Sequence, residues 1–322
     1  MGKSESVKIE KRYLGKTDLQ VTPIGLGCFQ FFGGRYFWNN PQQEEVNKIV
    51  KTALEGGINW FDTAEAYGWG RSERALATAL GKAGIANGDV VIATKWFPFF
   101  RTARNIPRTV DKRAECLSPY KIDLYQIHQP YAFSSIEAQM DAMASLVEEG
   151  KIKYIGVSNF SATQMRRAHA ALAKHGLPLA SNQVMFNLIH RNLEANGVLD
   201  AAKELNISII AYSPLARGLL TGKFHKNPEL IKRLPFARRM LLGRQLEKTG
   251  NLIKKLDGIA SSHNCSPSEI ALSWAIKFHG DVIVAIPGAT KTEHAQQNIG
   301  TLKLKLTGEE MASLDKESRL IQ

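Results

Sequence analysis

Short apolar stretches alternate with longer amphipathic stretches along most of this 322-residue chain. Apolar runs of roughly four to eight residues are typical of strands buried on both faces, and apolar residues that recur every three or four positions are typical of helices. The alternation predicts eight strand–helix units. We predict the strands at 24–27, 59–63, 90–95, 122–128, 153–158, 180–185, 207–212 and 282–286.

Helical periodicity fills the intervals between these strands. The clearest helices are predicted at 135–149, 162–175 and 193–205, and an earlier one begins at Pro41 and ends at Gly56-Gly57. A strand, a helix and a second parallel strand form a right-handed crossover unit. Eight such units in about 300 residues favour an α/β fold of the closed (β/α)8 TIM-barrel type over an open sheet.

Two segments interrupt this repeat. Residues 7–23 alternate around Gly15-Lys16-Thr17-Asp18, which predicts a short N-terminal β-hairpin. Residues 214–250 are too many for an ordinary strand-to-helix connection, so we predict a long loop there, after the seventh strand. No low-complexity linker divides residues 1–322, and we therefore predict a single barrel domain.

Charge distinguishes one part of the chain. The net charge is +12, and residues 217–255 carry eleven Lys and Arg against two Glu, a net of +9. No nucleic-acid recognition motif accompanies this basic segment, so we expect no nucleic-acid partner and interpret it as facing an anionic small ligand. The sequence also lacks an apolar run of membrane-spanning length, and its three cysteines lack metal or disulfide spacing. We expect a cytoplasmic protein with no membrane segment and no metal site.

Polar residues end three consecutive predicted strands. Asp62 ends the second strand with Tyr67 just beyond it, Lys95 ends the third, and His128 ends the fourth. In a barrel, the carboxyl ends of the strands meet at one mouth, so these side chains are expected to lie together. A buried lysine needs a partner, and Asp62 is the natural one.

Proton transfer is the chemistry that such a group supports. A neighbouring lysine is expected to lower the pKa of Tyr67 from the usual tyrosine value of about 10. Tyr67 can then protonate an alkoxide while His128 hydrogen-bonds a substrate oxygen. The group has no electron source, so a cofactor should supply the hydride. Neither the Rossmann glycine motif nor the hydrolase Gly-x-Ser-x-Gly motif occurs in the chain.

Motifs throughout the chain resemble those of the aldo-keto reductase superfamily. They are Phe61-Asp-Thr-Ala-Glu-Ala-Tyr-Gly68, Ala93-Thr-Lys95, Ile127-His128, Ile155-Gly-Val-Ser-Asn-Phe160, Asn182-Gln183, Ala211-Tyr-Ser-Pro-Leu215, Ile286-Pro-Gly-Ala-Thr290 and Gln297-Asn298. They occur in the family's order. The long segment after Tyr212 is similar to the branch that includes potassium-channel β-subunits and many microbial and plant aldehyde reductases.

The resemblance implies an NAD(P)H-dependent oxidoreductase that reduces aldehyde or ketone carbonyls of small-molecule substrates to alcohols. Asp62, Tyr67, Lys95 and His128 match the family's catalytic tetrad, with Tyr67 as the general acid. The cofactor contacts that it implies are Gly27, Cys28 and Asp62 on the first two strands, Ser158, Asn159 and Gln183 at the carboxamide, Tyr212 stacked on the nicotinamide ring, Ser213, Pro214, Leu215, Ala216, Arg217, Gly218 and Lys223 over the pyrophosphate, and Gly288, Ala289, Thr290, Lys291, His294, Gln297 and Asn298 at the adenosine.

The resemblance implies NADPH as the cofactor, with NADH less favoured, although three positions depart from the family pattern. The best-studied branch carries a lysine where Gly288 stands and an arginine where His294 stands, and Gln297 replaces a glutamate. Lys291, in the same turn, is able to restore a contact to the 2′-phosphate.

The sequence leaves the substrate and the oligomeric state, monomer or homo-oligomer, open. Aromatic residues suggest an apolar substrate pocket; they are Phe29, Tyr36, Trp38, Trp69, Trp96 and Tyr131. Residues 214–250 are either a solvated loop or a latch over the cofactor phosphates that uses Lys223 with Arg238, Arg239 or Arg244. The alternative to an enzyme is a cofactor-binding regulatory protein that resembles the channel β-subunits.

Overall fold

A computed structural model of the chain describes residues 9–33, 41–232, 234 and 236–321, with the backbone alone at 236–238, 241 and 244. A two-stranded antiparallel hairpin precedes a sheet of eight parallel strands, which lie side by side in chain order. The hairpin strands are β1 (Arg12–Tyr13) and β2 (Gln20–Val21). The parallel strands are β3 (Leu26–Gly27), β4 (Trp60–Asp62), β5 (Val91–Trp96), β6 (Ile122–Ile127), β7 (Ile152–Ser158), β8 (Leu179–Met185), β9 (Ser208–Tyr212) and β10 (Ile283–Ala285).

Contacts between the first and last parallel strands close the sheet. Ile24 pairs with Ala285, and Gly27 pairs with Gly288, both in parallel bridges. The N–H of Gly25 donates to the carbonyl of Ala285 at 2.8 Å. The predicted (β/α)8 barrel with an N-terminal hairpin is therefore confirmed.

Helices surround the barrel and connect its strands. They are α1 (Gln43–Glu55), α2 (Arg71–Lys82), α3 (Asn105–Leu117), α4 (Ile136–Glu148), α5 (Ala162–Ala173), α6 (Asn192–Ala195), α7 (Val198–Leu205), α8 (Lys223–Lys226), α9 (Glu229–Lys232), α10 (Phe236–Ser262), α11 (Pro267–Lys277), α12 (Thr292–Lys303) and α13 (Gly308–Arg319). In α1, Val46, Ile49, Val50 and Ala53 recur on one buried face, the pattern that packs a helix against a sheet. Within the described ranges, no helix combines the length and apolar character needed to cross a bilayer.

The N-terminal hairpin covers the end of the barrel at which the strands begin. Leu14, Leu19 and Val21 pack in one buried cluster with Trp60, which points into the barrel. The indole N–H of Trp60 donates to the carbonyl of Thr22 at 2.8 Å. Apolar side chains fill this end of the barrel, and the inward-facing polar side chains lie near the opposite mouth.

The segment that follows β9 is helical rather than a long irregular loop. It contains a 3-10 helix at Ala216–Thr221, then α8, α9 and the first half of α10. Leu242 is buried, His225 Nε2 lies 2.9 Å from Thr249 Oγ1, and Lys226 pairs with Asp257 at 2.7 Å. Apolar and polar residues are poorly separated along α10, which explains why periodicity does not reveal this helix.

Candidate active site

Four strands carry polar side chains into one buried layer near the mouth of the barrel. Asp62 ends β4, Lys95 lies one residue before the end of β5, and Gln126 and Gln183 lie on β6 and β8. Successive side chains of a strand point to opposite faces, so these four point inward while their neighbours face the helices. None of the four is more than 2 % exposed.

Asp62 is at the centre of this layer. Its Oδ1 pairs with Lys95 Nζ, and its Oδ2 accepts hydrogen bonds from Gln126 Nε2 at 3.0 Å and Gln183 Nε2 at 2.9 Å. Lys95 Nζ also donates to the carbonyl of Thr63 at 2.8 Å. Buried charges are tolerated when they are paired and hydrogen-bonded, and both conditions hold here.

Tyr67 lies between Lys95 and His128 at the mouth. Its hydroxyl is 3.5 Å from Lys95 Nζ, which also lies 5.0 Å from the centre of the tyrosine ring. The ring contacts Phe29 and His128 edge to face, with centroids 4.9 Å and 5.7 Å away. The structure therefore brings all four residues of the predicted tetrad together.

Glu65 fixes the loop that carries Tyr67. Its N–H donates to the carbonyl of Lys95 at 3.1 Å. Its carboxylate accepts a hydrogen bond from the N–H of Phe97 at 3.0 Å and pairs with Arg101 at 2.8 Å. The loop after β4 is thereby attached to the loop after β5.

Burial determines the pKa of Tyr67. Removal from water raises the pKa of the phenol, the charge of Lys95 lowers it by less, and Asp62 adds a further increase. The expectation that Lys95 brings this pKa below the ordinary tyrosine value is therefore wrong in its net direction. Tyr67 is protonated at neutral pH, so it is ready to donate a proton.

The other two titratable partners of Tyr67 shift in opposite directions. Burial lowers the pKa of Lys95, but Asp62 and Tyr67 raise it by more. The net result is a raised pKa. Burial lowers the pKa of His128 to about 3, with a smaller contribution from Lys95. His128 is therefore a neutral imidazole, and its Nδ1 has no hydrogen-bond partner in the described part of the chain.

A second polar group lies beside the tetrad, at the ends of β7, β8 and β9. Ser158 Oγ donates to the carbonyl of Gln183 at 2.8 Å. Asn159 Nδ2 donates to Ser158 Oγ at 3.0 Å and to the carbonyl of His128 at 3.3 Å. The hydroxyl of Tyr212 donates to Asn159 Oδ1 at 3.1 Å. Asn159 has a left-handed φ of 60°, which asparagine adopts more readily than most residues.

Basic side chains also occur at the start of α8 and at the start of α12. Burial lowers the pKa of His294, the charge of Lys223 lowers it further, Glu293 raises it, and Lys291 adds a smaller decrease. The N–H of Thr290 donates to His294 Nδ1 at 3.3 Å, which leaves the proton of the neutral ring on Nε2. These residues come from α8 and from the start of α12, far apart in the sequence.

Buried polar atoms in this region fit a large polar ligand such as a nicotinamide dinucleotide. Asn298 Nδ2 and Gln30 Oε1 are buried and have no hydrogen-bond partner among the described residues. Buried polar groups are normally satisfied, so each indicates a ligand or water. Arg217 and Gly218, with φ of 56° and 91°, form a tight left-handed turn beside this region, in which the N–H of Gly218 donates to the carbonyl of Leu215 at 2.9 Å.

The remaining predicted cofactor residues lie around these groups. Cys28 is fully buried, and its N–H donates to the carbonyl of Asp62 at 2.8 Å. The carbonyl of Ser213 accepts a hydrogen bond from Asn187 Nδ2 at 3.0 Å. Gly288 lies against the amide of Gln30, since an added Cβ would be 2.3 Å from Gln30 Oε1. The side chains of Arg238 and Arg244 lie outside the described part of the chain.

The predicted pocket aromatics are not all at the mouth. Phe29 contacts the tetrad, and Trp69 and Tyr131 are 61 % and 63 % exposed on the loops after β4 and β6. Tyr36 and Trp38 lie outside the described residues. Trp96 has no exposed surface and belongs to the core between sheet and helices. Because Trp96 follows the inward-facing Lys95, it points outward, and the pocket assignment of Trp96 is corrected on that ground.

Three residues at this site are missing from the sequence-based prediction. Gln126 and Glu65 hold Asp62 and the Tyr67 loop, and Phe97 lies edge-on to His128 at 6.2 Å. A glutamine inside an otherwise apolar strand is a detectable signal for Gln126. Glu65 and Phe97 give no comparable signal, because their roles depend on contacts between loops.

Comparison with known proteins identifies relatives along almost the whole chain. Residues 23–319 match the profile of the Aldo/keto reductase family. The chain is 32 % identical over 320 residues to a probable aldo-keto reductase 1 of Glycine max, with 95 % of this chain and 88 % of that protein covered. It is 37 % identical over 306 residues to an uncharacterized oxidoreductase of Mycobacterium tuberculosis, with 93 % and 90 % covered. A thermostable aldo-keto reductase, Tm1743, solved in complex with the inhibitor epalrestat, superimposes with a TM-score of 0.76 at 30 % identity, covering 95 % of this chain and 99 % of that one.

Proposed function

We propose, from the premise that the chain belongs to the aldo/keto reductase family, that it reduces aldehydes or ketones to alcohols with NADPH and uses Tyr67 as the acid. Family membership makes it a carbonyl-reducing oxidoreductase. The acid and the cofactor preference are the parts that we propose. One observation supports them: Lys95 Nζ pairs with Asp62 and lies 3.5 Å from the hydroxyl of the half-buried Tyr67.

Each residue of the tetrad has a separate role in the proton transfer. NADPH, when bound, supplies the hydride. The neutral His128 orients the substrate through a hydrogen bond to the carbonyl oxygen, on which negative charge develops. Tyr67 donates its proton to that oxygen, and the charge of Lys95 stabilises the phenolate that remains. Asp62 holds Lys95 in place.

The second polar group and the basic side chains at the starts of α8 and α12 would hold the cofactor. We assign Ser158, Asn159 and Gln183 to the carboxamide and Tyr212 to the face of the nicotinamide ring. The turn at 213–218 would lie over the pyrophosphate. Lys223 and Lys291, whose charges both act on His294, would attract the 2′-phosphate that distinguishes NADPH from NADH.

Substitution Tyr67→Phe tests the acid. We expect kcat/KM for a carbonyl substrate to fall by about 10²- to 10⁴-fold, while the Kd for NADPH stays within about twofold. Tyr13→Phe, which removes an exposed tyrosine hydroxyl on the N-terminal hairpin, is the matched control and should retain activity. Near-normal turnover in Tyr67→Phe would disprove the assignment. A parent protein that binds NADPH but oxidises it with no carbonyl compound would favour the regulatory alternative.

Substitution Lys291→Ala tests the cofactor preference. Loss of a hydrogen bond to a charged group should lower kcat/KM for NADPH by about tenfold and leave that for NADH unchanged. Lys303→Ala, at the other end of α12, is the matched control. An unchanged NADPH-to-NADH ratio in Lys291→Ala would remove Lys291 from the phosphate site.

We also propose a reducing compartment, such as the cytoplasm. Cys28, Cys116 and Cys265 are free thiols, and proteins of reducing compartments rarely form disulfides.

A further inference from the structure

A row of aromatic rings leads from the tetrad to the protein surface. Phe97 lies edge-on to His128 at 6.2 Å, Phe99 stacks on Phe97 at 5.9 Å, Phe100 contacts Phe99 at 5.1 Å, and Phe133 contacts Phe100 at 6.1 Å. The three outer rings are 47 %, 79 % and 69 % exposed. We call Phe97, Phe99, Phe100 and Phe133 the aromatic ladder.

The backbone of the aromatic ladder is fixed in place. Glu65 accepts a hydrogen bond from the N–H of Phe97, and the N–H of Phe133 donates to the carbonyl of Arg101 at 2.8 Å. Phe100 has a left-handed φ of 56°, which is unfavourable for a bulky residue. A strained backbone that keeps an apolar ring in solvent is expected where the ring has a binding role.

The aromatic ladder offers apolar surface without charge. Its four residues carry no charged group, and Arg101, the residue after Phe100, has its guanidinium paired with Glu65 at 2.8 Å. A ligand that lies along the rings therefore gains from apolar contact rather than from an ionic group.

We propose that the aromatic ladder binds the apolar tail of an elongated aldehyde whose carbonyl group reaches Tyr67 and His128. This inference rests on the proposed function, because it concerns the substrate of the same site. The row of rings begins at His128, so a molecule that occupies the tetrad and extends outward meets one ring after another. The substrate class is thus a long-chain aliphatic aldehyde rather than a small or charged carbonyl compound.

The size of the aromatic ladder favours a substrate tail over a second protein. Its three outer rings expose on the order of 400 Å². A stable protein interface buries roughly 800 Å² on each partner, about twice that area. An alkyl chain, in contrast, is narrow enough to be covered by single rings.

Kinetics with unbranched aldehydes from propanal to dodecanal test this inference. In the parent protein, kcat/KM should rise by about twofold to fourfold for each added methylene that the rings cover. The double variant Phe100→Ser/Phe133→Ser, at two positions exposed enough to spare the fold, should lose this rise for the longer aldehydes. Propanal, too short to reach Phe100, is the internal reference. Tyr13→Ser, at a 58 % exposed aromatic on the hairpin, is the matched control and should keep the parent's dependence on chain length.

The outcomes separate this inference from the proposed function. Reduction of propanal with no dependence on chain length would disprove the binding role of the aromatic ladder, and so would a double variant that keeps the parent's dependence. Neither result would contradict the proposed reductase function. No NADPH oxidation with any aldehyde would overturn both. A parent that sediments as a dimer, together with a monomeric double variant, would make the rings an interface between copies and would also overturn the inference.

Discussion

Two buried ion pairs lie on the two sides of β5 and differ in how well they are hydrogen-bonded. On the inner face, Lys95 pairs with Asp62 and donates to Thr63 as well. On the outer face, the preceding residue, Thr94, donates to Glu73 Oε1 at 2.6 Å, and Glu73 pairs with Arg113 at 3.2 Å. All four charged side chains are at most 5 % exposed. The two pairs therefore contact the same strand from opposite sides and share a degree of burial.

The outer pair is only partly satisfied. Glu73 Oε2 and Arg113 Nη1 form the ion pair at 3.2 Å without hydrogen-bond geometry, and Arg113 Nε has no hydrogen bond within the described ranges. Burial raises the pKa of Glu73 to about 7, and the charge of Arg113 offsets only part of this increase. On the inner face, by contrast, Asp62 and Tyr67 raise the pKa of Lys95 against the effect of burial.

The difference separates a pair that serves chemistry from one that serves the fold. A fully hydrogen-bonded pair keeps its charge at neutral pH, and the inner pair faces the mouth where a charge is needed. A partly bonded pair is close to losing its charge, and the outer pair is sealed between sheet and helices. Substitutions on the inner face should change activity, and those on the outer face should change only stability.

The largest effect is expected for Lys95→Met. The substitution removes the cation beside Tyr67, so we expect kcat/KM to fall by at least about 10²-fold. It also leaves Asp62 buried without its ion partner, which should cost about 3–5 kcal/mol of the free energy of unfolding. Steady-state kinetics and urea unfolding of the same preparation measure both.

An exposed lysine provides the control for Lys95→Met. Lys153 pairs with Asp18 at 2.9 Å on the surface, at the hairpin end of the barrel. Lys153→Met removes the same charge and should leave kcat/KM unchanged and stability within about 1 kcal/mol. An active Lys95→Met variant would contradict the role given to the inner pair.

A smaller effect is expected for Gln126→Met, which keeps the volume of the side chain. Asp62 Oδ2 loses one of its two amide donors, and the carboxylate that positions Lys95 is held less firmly. Because a hydrogen bond to a charged group contributes about 1.5–3 kcal/mol, we expect kcat/KM to fall by about tenfold.

A second buried glutamine separates positioning from stability. Gln139 is 1 % exposed and donates to the carbonyl of Ser134 at 3.0 Å, at the start of α4. Gln139→Met should lower the free energy of unfolding without lowering kcat/KM. If both variants lost stability and neither lost activity, Gln126 would have a structural role only.

The fold could be predicted because its signals are local. Each parallel strand is a short apolar run, and predicted and observed bounds differ by a few residues, as for 59–63 against Trp60–Asp62. Strand ends depend on the partner strand, which a single run does not show. The helical character of 214–250 could not be predicted, since the apolar residues of α10 are not confined to one face.

The candidate site was only partly predictable. Asp62, Lys95 and His128 lie at or near the ends of the predicted apolar strands, so each is conspicuous in the sequence. Gln126 acts through a residue 64 positions away, a relation that the sequence pattern does not contain. The net shift in the pKa of Tyr67 depends on burial, and burial is known only from the packed structure.

The smallest effect, and the sharpest test of the contrast, is expected for Glu73→Gln on the outer face. The pKa of Glu73 is about 7 in the folded protein against an ordinary value of 4.5. The folded state therefore holds a proton that the unfolded state has released, and the stability that this proton confers is complete below pH 4.5 and lost as the pH rises through 7. Glutamine does not titrate, and its carbonyl oxygen still accepts the hydrogen bond from Thr94.

Relative to the parent, the free energy of unfolding of the Glu73→Gln variant should increase by on the order of 2 kcal/mol between pH 5 and pH 8, with kcat/KM unchanged. Urea unfolding of both proteins at the two pH values measures this gain. A difference that stays constant with pH would mean that Glu73 is ionised throughout, and a loss of activity would mean that the two faces of β5 are not independent.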